Sequence, residues 1–193
     1  MKEIYIADES FENINFTQKP LNLGEYENCT FRNCNFEYLN ISGFRFTDCE
    51  FIESNLSMTK LIGTAFREVV FKDCKMYGMA FNDCNEFGMS FKFEGCALNN
   101  SVFYKSTIRK TQFKNSKLIE VDFSEADISS SVISNCDLSG TIFDRTNLEK
   151  ADLRTSFNYT INPAQNNLRK TKFSLSEVHG LLRHLDIEVD KNS

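Results

Sequence analysis

Residues 121–155, VDFSEADISSSVISNCDLSGTIFDRTNLEKADLRT, carry an apolar side chain at every fifth position: Phe123, Ile128, Ile133, Leu138, Phe143, Leu148 and Leu153. Stepping back by five keeps the register through Leu118, Phe113, Ile108, Phe103, Leu98 and Phe93. There the frame slips by two, and it resumes from Phe91 down to Ile6 with Glu86 as its one polar member. In all, 30 of 31 register positions are apolar and hold 15 of the 19 phenylalanines, where composition alone would put about 13 apolar residues.

A period of five matches neither the 3.6 of a helix nor the 2 of a strand, so neither element alone turns these side chains to one side. One short extended step and one corner per five residues does: four steps close a square coil, and every register side chain points to its centre. Residues 20 apart then stack at about one strand spacing, roughly 4.8 Å. The resulting columns pair like with like, as in Phe11, Phe31, Phe51, Phe71 and Phe91, or Leu98, Leu118 and Leu138. A second inward position, two residues before each register residue, lies close to the axis and admits small side chains. All seven cysteines fall there (Cys29, Cys34, Cys49, Cys74, Cys84, Cys96, Cys136), beside residues such as Ser54, Thr59, Thr64 and Ala126. Phe44 is the clear exception and predicts a local bulge.

The segments CDLSG (136–140), TNLEK (146–150), ADLRT (151–155) and ADISS (126–130) resemble the A-(D/N)-L-x-x unit of the pentapeptide-repeat family. The resemblance covers about residues 6–157. It implies an all-β fold, a right-handed quadrilateral parallel β-helix, with a repeat body at 1–157 and a register slip near 85–92. Seven to eight coils make one continuous rod, about 35–40 Å long at one strand spacing per coil.

Beyond Leu153 the pattern fades, and FNYTINPAQNNLRKTKF (157–173) reads as irregular or extended, broken by Pro163. The extension 158–193 then predicts a short helix at about 174–186. Ser174 and Glu177 form an S-x-x-E capping box, and Leu175, Val178, Leu181, Leu182 and Leu185 share one face. Gly180 lowers its intrinsic propensity, so packing must hold it. Ile187 and Val189 alternate as in a short terminal strand. Such a helix can cap the open end of a β-helix. INPAQNNL followed by GLLRHLDIEV also resembles the tail of the Qnr and microcin-immunity branch, and that resemblance implies a homodimer through these five apolar residues.

Composition narrows function. The 193 residues and 22.3 kDa fit one domain, and no apolar run approaches the roughly 20 residues of a membrane span. The start, MKEIYIADES, lacks the apolar stretch of a secretory signal, so the expected location is cytoplasmic. A net charge of −5 and a pI near 5.2 have the wrong sign for direct nucleic-acid binding. Neither a phosphate-binding glycine loop nor paired C-x₂-C and His ligands occur, and His179 and His184 are five apart without a nucleophile beside them. The reading is a protein without catalytic residues, metal or cofactor.

The outward positions remain. Residues 1–91 hold 14 acids and 8 bases, whereas 92–193 hold 13 acids and 14 bases, with Lys105, Arg109, Lys110, Lys114 and Lys117 clustered. In the acidic half Asp48 stacks under Glu68 and Glu53 under Asp73, which predicts four carboxylates along one edge and a protein partner. The Qnr and MfpA members that the chain resembles imitate DNA and bind type II topoisomerases. The resemblance therefore implies DNA gyrase or topoisomerase IV as partner and protection from quinolones or gyrase toxins. The other reading is a structural or scaffold rod with a different protein partner, in which the acids serve solubility.

Overall fold

The computed structural model describes residues 4–185 together with residues 187 and 188, and over them the chain winds as a square parallel β-helix of about 7 turns. Its strands are only three or four residues long because each ends at a corner: β1 (Ile4–Ala7), β2 (Ser10–Glu12), β3 (Gly24–Glu27), β4 (Thr30–Arg32), β5 (Arg45–Thr47), β6 (Glu50–Ile52), β7 (Ala65–Arg67), β8 (Val69–Lys72), β9 (Phe91–Glu94), β10 (Gln112–Lys114) and β11 (Val132–Ser134). One face is the four-stranded sheet β1-β3-β5-β7, and the next is the seven-stranded sheet β2-β4-β6-β8-β9-β10-β11, parallel throughout. The other two faces are joined by isolated parallel bridges, such as Asn15–Asn35–Asn55–Lys75–Ala97–Lys117–Asp137–Phe157.

Register follows the fives. Phe11 pairs with Phe31, Phe31 with Phe51 and Phe51 with Phe71. The inserted pair falls between Asn85 and Phe91: the Asn85 N–H still donates to the Thr64 carbonyl as Ala65 does to Phe44 one coil earlier, whereas Val69 pairs with Phe91, two positions past the regular step. Because the seven-stranded sheet carries on across this point, the column continues from Phe71 to Phe93 and Phe113, with rings 5.3 and 5.0 Å apart.

The seven cysteines are buried and free. Size is only half the reason for small residues at their position. The Ser54 hydroxyl donates to the Phe31 carbonyl at 3.1 Å, Thr59 to Phe36 at 2.9 Å, Thr64 to Ile41 at 2.7 Å and Ser156 to Ile133 at 2.8 Å, each time one coil back. The thiols of Cys34, Cys49 and Cys74 approach equivalent carbonyls at 3.3–3.4 Å. Where these hydroxyls and thiols stand they satisfy a buried carbonyl as well as filling the space, whereas Ala126 and Ala151 fill the same position by size alone.

Phe44 needs no bulge. Its backbone bonds are regular, and its ring lies nearly parallel to Tyr26 and Phe46 at 6.1 and 6.0 Å. One coil earlier the same position is Gly24, where a Cβ would collide with Ile4.

The ladder also runs past residue 157. Asn147 bridges to Asn167 and Asp152 to Lys172, while Tyr159 and Ile161 plug the core. Leu168 and Phe173 stand three and four pentapeptides beyond Leu153, so the five-residue register returns after Pro163.

The helix expected over 174–186 is not formed among the described residues. Val178–Leu181 makes a single 3-10 turn, with the Glu177 N–H donating to Ser174 Oγ at 3.3 Å. A stripe of this length forms a helix only if packing holds most of it, and here Leu181 alone of the five packs against the core, while Leu175 is 90% exposed. Gly180 instead fixes the segment to the rod: its carbonyl accepts from Ile161 N–H at 3.1 Å, and a Cβ there would overlap Tyr159. Ile187 is exposed coil, and Val189 lies outside the described residues. Among the described residues no helix is long and apolar enough to cross a membrane.

Candidate functional site

Most pentapeptides turn their corner at the residue two past the register position in left-handed backbone, with the side chain exposed or half-exposed. Asn, Asp and Gly tolerate that geometry best, which explains their frequency there. Asp48 (φ 51°) and Glu68 (φ 50°) occupy the corner between the two sheets; Glu53 (φ 51°) and Asp73 (φ 52°) occupy the opposite edge of the seven-stranded sheet. All four are exposed. They do not share one edge: one strand length separates the two columns, so the four carboxylates border β6 and β8 from both sides.

Their surroundings differ. Glu53 is within 3.7 Å of the Arg32 guanidinium, and the Ser90 hydroxyl donates to Glu68 at 3.0 Å. Among the described residues Asp48, Glu68 and Asp73 make no ion pair. On the face between the columns Lys72 pairs with Glu50 at 3.0 Å and Lys114 with Glu94 at 2.6 Å. The Lys114 ammonium holds the Glu94 carboxyl below the usual range. The acids of the face are thus compensated and those of the corners are largely not.

The acidic corner between the sheets begins lower on the rod, where Asp8 accepts from Asn28 Nδ2 at 2.6 Å, one coil above it. By pairing, the column reads Asp8, Asn28, Asp48, Glu68, Ser90, Lys110, Ser130, Lys150, Lys170, with the positive-φ Gly88 in the inserted turn beside it. Its basic upper half was legible at the same offset from the register. Phe87, beside Gly88, is 80% exposed, with Arg67 5.7 Å from its ring centroid. Burial by periodicity gives it no place, because it lies in the inserted segment.

Of the expected interface residues, Leu175, Val178 and Leu185 are exposed, Leu182 is half-buried and Leu181 packs inward. Among the described residues no group of three or more His, Cys, Asp or Glu could hold a metal ion. His179 contacts the Ser176 carbonyl and Arg183, not a nucleophile.

A family model described as "Pentapeptide repeat region" matches residues 24–103 and 44–122, and one described as "Pentapeptide repeats (8 copies)" matches residues 122–156. Among solved structures, full-length QnrB1, a plasmid-mediated fluoroquinolone resistance protein, aligns with a TM-score of 0.63 and 17% identity, covering 95% of this chain and 100% of its own. A trypsin-treated variant of QnrB1 aligns at 0.64 and 18%, covering 96% and 100%. No curated protein sequence matches the chain.

Proposed function

Since this chain belongs to the pentapeptide-repeat family, we propose that it is a cytoplasmic, non-enzymatic rod that binds a type II topoisomerase, DNA gyrase or topoisomerase IV, by imitating DNA. Protection of that enzyme from quinolones or from gyrase toxins is the expected consequence. The observation that carries the reading is the pair of exposed carboxylate columns, Asp48 with Glu68 and Glu53 with Asp73, bordering one face. The two stacked carboxylates of each column are one strand spacing apart, about 4.8 Å, of the same order as the roughly 3.4 Å rise per phosphate along one DNA strand. Like charges stacked this closely without a partner cost stability, and a cationic DNA-binding groove would relieve that cost. The likeness of fold to QnrB1 along nearly the whole chain is consistent with the proposal.

The test is reversal of Asp48, Glu53, Glu68 and Asp73 to lysine. All four side chains point to solvent, so the β-helix spectrum stays unchanged while gyrase binding is lost. A reversed protein that binds as tightly as the wild type removes the columns from the interface and leaves a scaffold rod with another partner.

A further inference from the structure

The corner column between the two sheets is charged in opposite senses along its length. Below the slip it carries Asp8, Asp48 and Glu68; above it, Lys110, Lys150 and Lys170. All six are exposed, and among the described residues Lys110 and Lys170 make no ion pair. Ser90 divides the halves, and in the inserted turn beside it Phe87 projects 80% exposed, held by the Arg67 guanidinium over its ring and by the bond from Arg67 Nε to the Phe87 carbonyl at 3.4 Å. The opposite edge of the seven-stranded sheet lacks this arrangement, reading Asn13, Asn33, Glu53, Asp73, Gly95, Asn115, Asn135, and so does the corner Tyr38, Met58, Gly78, Asn100, Glu120, Gly140.

We propose that this edge is a self-complementary docking surface whose occupant is a second copy of the chain, laid antiparallel and side by side about a two-fold axis at the level of the slip. An edge acidic on one side of its midpoint and basic on the other matches itself when turned end for end, which is the condition for an isologous interface. With the axis at the level of Ser90, Glu68 meets Lys110 of the second copy one coil from the axis, and Asp8 meets Lys170 four coils from it. Asp48 falls within one coil of both Lys110 and Lys150 of the second copy. Steps are equal in both halves because each is one strand spacing. The two Phe87 rings, in the inserted turns beside the axis, supply the apolar centre that exposed charges alone lack.

Nine corners span about 38 Å at about 4.8 Å each. With the flanking side chains the contact buries on the order of 1,000 Å², the lower end for a specific dimer. The association is therefore weak, and its strength depends on the charges. It covers Asp48 and Glu68 but leaves Glu53 and Asp73 free, and it holds whether or not the partner in the previous section is a topoisomerase.

Sedimentation of the wild-type chain decides it. The dimer forms at about 0.05 M salt and dissociates at about 1 M, where the screening length falls to about 3 Å. The triple variant Lys110→Glu, Lys150→Glu, Lys170→Glu weakens it about tenfold or more, as does Asp8→Lys, Asp48→Lys, Glu68→Lys. Mixing these two variants restores a heterodimer, because one edge is then wholly acidic and the other wholly basic. Phe87→Ser weakens the wild-type dimer without changing its salt dependence. The proposal is overturned by a wild-type monomer at low salt, by a mixture that fails to pair, or by a dimer that ignores the charge variants and is abolished by Leu175→Glu with Leu185→Glu. Unchanged far-UV spectra in all variants exclude misfolding as the cause.

Discussion

The rings of Phe31 and Phe51 lie face to face, their centroids 4.8 Å apart and their planes 12° from parallel. Phe51 has the same relation to Phe71 above it, at 5.2 Å and 20°. The backbone ladder sets the rise of the coil, and these two contacts favour its register, since the rings can stack only when the strands that carry them are aligned.

Phe51→Ala empties one storey of the column between two rings that cannot close on each other. The expected loss is about 3–5 kcal/mol, read from the shift of the denaturant midpoint at constant slope. A loss under about 1 kcal/mol would place Phe51 outside the core.

Thr64→Val tests the donor role of the second inward position. Shape and volume are nearly kept, but the hydroxyl that donates to the Ile41 carbonyl at 2.7 Å is gone. A cost of about 1 kcal/mol follows from the lost hydrogen bond. An equally stable or more stable variant would show that the position selects for size alone.

The buried thiols make stability depend on alkaline pH. Burial pushes Cys49 up to about 12 and Cys136 up to about 11, and it raises Cys84 as well, all from an ordinary value of 9.0. A thiol whose value is raised on folding contributes stability that is complete below pH 9.0 and is lost as pH climbs towards about 12. Thiol-reactive probes at about pH 8 should therefore label these cysteines only after denaturant is added, and the denaturant midpoint should fall above about pH 9. Rapid labelling of the native protein would contradict this packing.

Gly180→Ala should free the C-terminal turn from the rod, because the added methyl overlaps the Tyr159 carbonyl and ring. Hydrogen exchange is expected to rise in residues 177–182 while the coils up to Leu153 stay protected, since coils contact chiefly their neighbours. Uniform loss of protection would mean that the turn is part of the cooperative unit.

The coil was legible because its period is peculiar to it: only a chain that turns every five residues can bury Phe31, Phe36, Phe46 and Phe51 together. Corner positions followed from the same count, so the stacking of Asp48 with Glu68 could be read directly. The same count puts Asp48 and Glu53, five apart, on successive corners, so the two columns border one face from both sides instead of sharing an edge. The C-terminal stripe misled for a different reason. Leu175, Val178, Leu181, Leu182 and Leu185 satisfy helical spacing, but the close approach of Gly180 to Tyr159 holds the backbone in a 3-10 turn. No periodicity reports a tertiary contact of that kind. Leu168 and Phe173 were visible in the register but hidden by the irregular stretch around Pro163.

The central functional claim is most directly tested by titrating the protein into the host's DNA gyrase carrying labelled DNA. Displacement of the DNA at about micromolar protein is expected, weakened by added salt because the carboxylates are exposed and screened, and absent when Asp48, Glu53, Glu68 and Asp73 are reversed to lysine. Folded wild-type protein that neither displaces DNA nor binds the enzyme, with topoisomerase IV equally indifferent, would contradict it.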